Sequence, residues 1–304
     1  MMRSILGGKA SAAKGVARPP VAVDISVEGV IAASLSGADA APAVAFEPLP
    51  IGVLAPGIAS QNLLQPEAVA AAIRKALDQV DPRKRDVTLV VPNTAVRVFV
   101  LDFDSLPSKT AEVLSVLRFR LRKMVPFDVE HAGLSYQILS SSPQETRVLC
   151  AILPATVLAE YEGAIRAAGY EPGAVLPSSL AALAALESDE PLLAVFLQSG
   201  SMTSVIANGQ DLLLYRTLEL PEDPQMKELE VQRDIAVAIA YFEDRLSVRP
   251  HRLHYAGPST AQEFQHIVRE SGCEVVELVK PLPSRISAAA PCLAGVTGAL
   301  AGVS

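Results

Sequence analysis

The side chains best suited to chemistry with a partner are gathered in "RFRLRKMVPF", residues 118–127 of 304. Arg118, Phe119, Arg122 and Lys123 set three cations around one aromatic ring. That composition suits gripping a peptide, an acidic protein face or an anionic membrane surface. At roughly 100° per residue, Val113, Leu114, Leu117, Leu121 and Met124 form an apolar stripe, and Phe119 falls almost opposite it. A ring on the solvated face points to a partner; the alternative is that another subdomain covers it and the charges form a solvated rim. Arg120, on the shoulder of the stripe, is expected to snorkel or pair with an acid. Pro126 and Phe127 shape the turn that stops the helix near Val125.

Other chemistries find little support. Cys150, Cys273 and Cys292 are far apart and form no CxxC pair, so they read as reduced core residues of a cytosolic protein. His251 and His254 lack a neighbouring Cys or acid, and no metal site built from protein residues is expected. "QSGSM" lacks the second flanking glycine of a serine elbow and reads as a strand turn. A net charge of −7 with half the residues hydrophobic argues for two folded domains and against disorder or nucleic-acid binding. No apolar run reaches the ~18–20 residues that span a bilayer. Residues 1–18, with Arg3, Lys9, Lys14 and Arg18, read as a disordered basic tail, or as a weak anchor to an anionic surface.

The elements that must position these residues follow from periodicity. "PPVAVDISVEGVIAASLSG" reads as a hairpin turning at Ser26 to Gly29, and a short strand is possible near Ile51 to Leu54. "QPEAVAAAIRKALDQV" is an amphipathic helix with Val69, Ile73, Leu77 and Val80 on one face. "VTLVVP" and "VRVFVLDF" are strands leading into the basic helix, which starts near Pro107 and Ser108. "AGLSYQIL" and "TRVLCAILP" pair as strands; a helix ending near Gly169 and a second, Ala- and Leu-rich helix at "PSSLAALAALES" follow. The small residues of the latter suit a tight internal interface. The second half repeats the plan: three strands from Pro191, a helix with Val231, Ile235, Ile239, Phe242 and Leu246 in one stripe, strand, helix, strand, and a terminal small-residue helix at "PCLAGVTGALAG". Duplication of this kind predicts an α/β protein of two related lobes facing a cleft.

With these pieces placed, the chain resembles the actin-like fold, and within it the PilM family of type IV pilus assembly proteins, with FtsA and the cytoplasmic part of GspL as wider relatives. The resemblance rests on "VPFDVEHAGLSYQIL" after a helix, then "TRVLCAILPATVLAEYEGAIRAAGYEPGAVLPSSLAALAAL", "SMTSVIANGQDLLLYRTL" and "RLHYAGPS", in that order. It implies a first lobe from 19–93 and 149–189, an FtsA-like inserted subdomain at 94–148 and a second lobe at 190–304. It also implies a non-catalytic cytoplasmic adaptor, peripheral at the inner membrane, that holds the cytoplasmic tail of a PilN-type membrane protein and meets other pilus or secretion components. Pro126, Phe127 and the strand carrying Tyr136 and Gln137 would border the groove, where a free edge could accept the tail by β-addition.

The same resemblance implies a place for ATP and Mg²⁺ between two hairpin turns whose amides face the phosphates. The positions concerned are Asp24, Ser26 and Gly29 in the first hairpin, Gly200, Ser201 and Thr203 in the second, and Gly257 in the adenosine-side loop. They depart from the pattern: Ser26 stands where a glycine is usual, Glu28 brings a repelling charge, "AVFLQ" has no acid, and Pro258 replaces a second glycine. The expectation is a degenerate cleft without a cofactor, with an ATPase or kinase as the alternative. A GspL-type protein is the third reading, though "GALAGVS" brings no membrane span.

Overall fold

The computed structural model describes residues 18–35, 42–59, 61–81, 83–186, 188, 190–209, 211–279 and 292–301. The tail expected at 1–18 lies outside them except for Arg18, which is half-buried. Contacts divide the chain into two units, Met1–Ala184 with Gly295–Ser304, and Ala185–Ala294.

In the first unit, β1 (Val21–Ile25) and β2 (Gly29–Ser34) form an antiparallel hairpin, with Val21 opposite Ser34 and Ile25 opposite Val30. Every residue of both strands is buried, which is why they read as near-continuous apolar runs. β3 (Ala43–Pro48) pairs with β2, while β4 (Asp86–Val91) runs parallel to β1 and β8 (Glu171–Pro177) parallel to β4. The sheet order is β3-β2-β1-β4-β8. Helix α1 (Pro66–Val80) buries Val69, Ile73 and Leu77 as its spacing predicts, while Val80 at its last position is only half-buried.

The second unit repeats this plan. β9 (Leu192–Gln198), β10 (Ser201–Asn208) and β11 (Asp211–Glu219) form an antiparallel meander. β12 (Arg252–Ala256) and β13 (Glu274–Glu277) add in parallel, giving β11-β10-β9-β12-β13. Helix α5 (Pro224–Leu246) lays Val231, Ile235, Ile239 and Phe242 into the core, and α6 (Ala261–Ile267) opens on a Thr260–Glu263 capping box. In each unit the helix between the third and fourth strands covers the sheet's apolar side.

Between β4 and α3 (Ala155–Ala167) lies an insert with its own core. It holds β5 (Arg97–Phe103), α2 (Thr110–Leu121), β6 (Gly133–Ser141) and β7 (Thr146–Leu153), in sheet order β5-β7-β6. Val113, Leu117 and Leu121 of α2 pack on Leu101, Val148, Cys150 and Ile152. The insert's sheet continues to Leu153, past the 94–148 expected from sequence. The C-terminal helix α7 (Ala294–Ala301), expected from sequence to belong with residues 190–304, goes with the first unit from Gly295 on.

Local boundaries differ from expectation for physical reasons. The early strand is β3, not Ile51 to Leu54, where Ile51 caps an exposed turn and Leu54 makes only a bridge to Leu63. β8 is a strand in spite of Pro172 and Gly173, because an edge position tolerates a missing N–H and the register shifts at Val87/Thr88. Helix α2 ends at Leu121 rather than Val125: a tight turn follows, in which Met124 N–H donates to the Leu121 carbonyl at 2.8 Å. Met124 therefore leaves the stripe and is 41% exposed. The Ala/Leu-rich helix is short, α4 (Ser178–Leu183), and is capped from outside by Asn93, whose Oδ1 accepts from Ser179 N at 3.0 Å and Ser179 Oγ at 2.9 Å.

Candidate functional site

In the first hairpin, Ser26 N donates to the Gly29 carbonyl at 2.9 Å, Gly29 N returns to Ser26 O at 3.2 Å, and Ser26 Oγ also donates to Gly29 O. This closes a two-residue turn, Val27 and Glu28, with Glu28 exposed at its tip. Gly29 answers to its neighbour strand: a Cβ there would stand 2.4 Å from the Glu47 carbonyl and 2.5 Å from the Phe46 ring. Phosphate approach is not needed to explain this glycine.

Asp24, on β1, is only 5% exposed. Its carboxyl accepts a hydrogen bond from the Ser178 hydroxyl at the start of α4. It also faces the backbone of α7, since a Cβ at Gly295 would meet Asp24 Oδ2 at 2.2 Å and Ser178 Oγ at 3.2 Å. Burial above all, and then the charge of Glu28, push the carboxyl up to about 7, with the Ser178 bond pulling the other way.

The second hairpin belongs to the other unit. Gly200 has open space where a Cβ would stand, and its carbonyl accepts from Leu220 N at 2.9 Å. Lys227 Nζ is 2.7 Å from the Ser199 carbonyl. Ser201 Oγ reaches Gln198 Oε1 at 3.5 Å, and Thr203 Oγ1 lies 3.0 Å from Thr217 Oγ1 across the β10–β11 pair. At Gly257 a Cβ would meet the Tyr255 hydroxyl at 2.1 Å; that hydroxyl bonds Ser259 Oγ at 2.7 Å, and its ring stacks on Phe264. Of these positions, Gly200 alone is a glycine with no neighbour explaining it. Among the described residues, no group of three or more His, Cys, Asp or Glu could hold a metal ion.

In the insert the basic cluster separates into two sets. Arg118 is half-buried, and its guanidinium donates to the carbonyls of Val129 and Ala132, tying α2 to the loop before β6. Arg122 pairs with Glu130. Phe119 stands 70% exposed, and Arg120 and Lys123 are exposed with no ion pair among the described residues. Pro126 is exposed, whereas Phe127 and Tyr136 pack against the insert core. Gln137 lies on the face of β6 opposite Tyr136. β6 has a strand neighbour, β7, on one side only among the described residues.

One buried polar group was missed from sequence. Asp234, on α5, accepts from Ser204 Oγ at 2.5 Å and pairs with Arg216 Nη1 at 3.2 Å. It borders a small, partly open cavity of about 50 Å³ lined by Leu214, Val237 and Tyr241 as well. An acid flanked by Val231, Ile235 and Ala238 on a buried stripe was the available signal.

No family model matches the chain, and no curated protein matches it in sequence. Solved structures do. A chain of the PilM–PilN type IV pilus biogenesis complex superposes with TM-score 0.70 at 21% identity, covering 95% of this chain and 100% of that one. The cytoplasmic domain of EpsL, an inner-membrane component of the Vibrio cholerae type II secretion system, gives 0.51 at 13% identity over 92% of each chain. A Bacteroides thetaiotaomicron protein with an actin-like ATPase fold and unknown function gives 0.54 at 12%, covering 92% of this chain and 94% of that one. The duplicated five-stranded sheets and these superpositions together establish the actin-like fold for this chain.

Proposed function

We propose that the protein is a non-catalytic adaptor of a type IV pilus or related secretion assembly. It works at the cytoplasmic face of the inner membrane and holds the cytoplasmic N-terminal tail of a PilN-type membrane protein. The observation that carries this reading is the insert: a sheet with β6 at its edge, in a chain that superposes along nearly its whole length on a chain of a PilM–PilN complex. An extended tail adding to β6 would gain main-chain hydrogen bonds for affinity, with alternate side chains such as Tyr136 and Gln137 flanking it for selection. Among the described residues no helix is long and apolar enough to cross a membrane, so attachment through such a partner fits the reading.

The nucleotide cleft belongs to the proposal as a degenerate one. Support comes from Asp24, whose carboxyl is engaged by Ser178 and faces Gly295, from the acid-free strand β9, and from glycines that serve Phe46 and Tyr255. The alternative, a nucleotide-binding ATPase or kinase, draws on the open space at Gly200.

Two titrations test these readings. A labelled peptide of the PilN-type protein's N-terminal tail, from the same organism, is expected to bind saturably in fluorescence anisotropy; no binding at about 100 μM peptide, a free energy near −5.5 kcal/mol, would remove the adaptor reading. In thermal unfolding, millimolar ATP with Mg²⁺ is expected to leave Tm unchanged. A ligand at 100 times its Kd would add about 2.7 kcal/mol, so a saturable rise of several degrees would restore the nucleotide reading.

A further inference from the structure

Helix α2 uses its apolar stripe internally, yet keeps a large aromatic ring outside. Residues 118–124 carry four cations and no acid in a chain of net charge −7. Two of those cations are committed to the insert, Arg118 to loop carbonyls and Arg122 to Glu130. The other two, Arg120 and Lys123, stay exposed without an ion pair among the described residues. Beside them stand Phe119 at 70% exposure and Met124 at 41%.

We infer that the end of α2 and the turn after it, through Phe119, Arg120, Lys123 and Met124, form a shallow docking surface for an anionic lipid bilayer. The argument is one of charge and shape. Long cationic side chains without fixed partners can sweep over a diffuse layer of negative headgroups and still keep their stems on apolar groups. A ring and a thioether between them reach the boundary between headgroup and acyl chain, which needs no preformed pocket. A protein partner would also accept the ring, the thioether and Arg120, but lysine is depleted from such interfaces, and neither Arg120 nor Lys123 is held by an ion pair among the described residues. Each exposed cation contributes about fivefold to adsorption near an anionic surface, so the contact is weak and reversible by itself. The inference does not rest on the partner reading, since a vesicle contains no protein.

The test is flotation of the full chain with vesicles of phosphatidylcholine alone and of phosphatidylcholine with about 30% phosphatidylglycerol, at low and high salt. The wild type is expected to float with the anionic vesicles at low salt and to be released by high salt. The pair Arg120→Glu with Lys123→Glu should weaken flotation about 25-fold or more, and Phe119→Ser about tenfold. Leu229→Ser, an exposed apolar position on α5, should change nothing. All substituted side chains are exposed, so unchanged melting temperatures check folding; if Phe119→Ser does not fold, the charge pair decides. Equal flotation of wild type and charge pair, or equal flotation with neutral vesicles, would place adsorption elsewhere and overturn the inference. So would failure of the wild type to float, or loss of tail-peptide binding in Phe119→Ser with vesicle binding intact.

Discussion

Asp24→Asn is expected to stabilise the protein at pH 8 by roughly 2–4 kcal/mol and to leave it almost unchanged near pH 4. The carboxyl titrates at about 7 in the folded chain against 3.8 for an ordinary aspartate, and burial is the main cause. About three pKa units at 1.36 kcal/mol each give about 4 kcal/mol as the upper end. The sign follows from proton counting. Between about pH 4 and pH 7 the folded chain holds a proton that the unfolded chain has released, so stability falls as pH rises through that window and is level above it. Asparagine keeps the shape and the acceptor for Ser178 while removing the charge; its amide, facing Gly295, offsets part of the gain. The measurement is the urea midpoint of wild type and variant at pH 4, 6 and 8. A variant less stable than wild type at pH 8 would mean that the ionised carboxylate has a stabilising partner, as a metal-organising residue would, and would also undercut the degenerate-cleft proposal.

How much could be read beforehand depended on how local the cause was. The stripe of α5 and the duplicated strand plan are periodic signals, and both units carry them. β8 was missed because Pro172 and Gly173 are local turn signals, while their tolerance depends on an edge position set by the whole sheet. The glycines show the same limit at the candidate site. A glycine letter reads identically whether its empty side serves a phosphate or, as at Gly29 and Gly257, a phenylalanine ring and a tyrosine hydroxyl. Arg118 could not be separated from Lys123 by helical angle, because its partners are carbonyls of a loop eleven and fourteen residues on. The angle of Phe119 opposite the stripe did place it outside the insert's core, while its 70% exposure depended on what the rest of the chain leaves uncovered.

Gly298→Val is the second large effect, and it couples to the first. A Cβ at Gly298 would lie 1.9 Å from the Ala181 carbonyl oxygen and 2.9 Å from Ala182 Cα. These are backbone atoms of α4, which cannot turn aside as a side chain can, so α7 must move off α4. Overpacking of this kind costs about 1–3 kcal/mol for a modest clash, and a β-branched side chain against backbone should reach at least the upper end. Gly200→Ala, with open space, is the control and should stay within about 0.5–1 kcal/mol of wild type. Moving α7 also lifts Gly295 from the Asp24 carboxyl, exposing it and returning its pKa toward the ordinary range. The pH-dependent difference between wild type and Asp24→Asn should therefore shrink in the Gly298→Val background, a non-additivity readable in a double-mutant cycle. If Gly298→Val melts with the wild type, α7 does not pack on α4; if it is destabilised with the pH term intact, Asp24 is buried by α4 and its own sheet without help from α7.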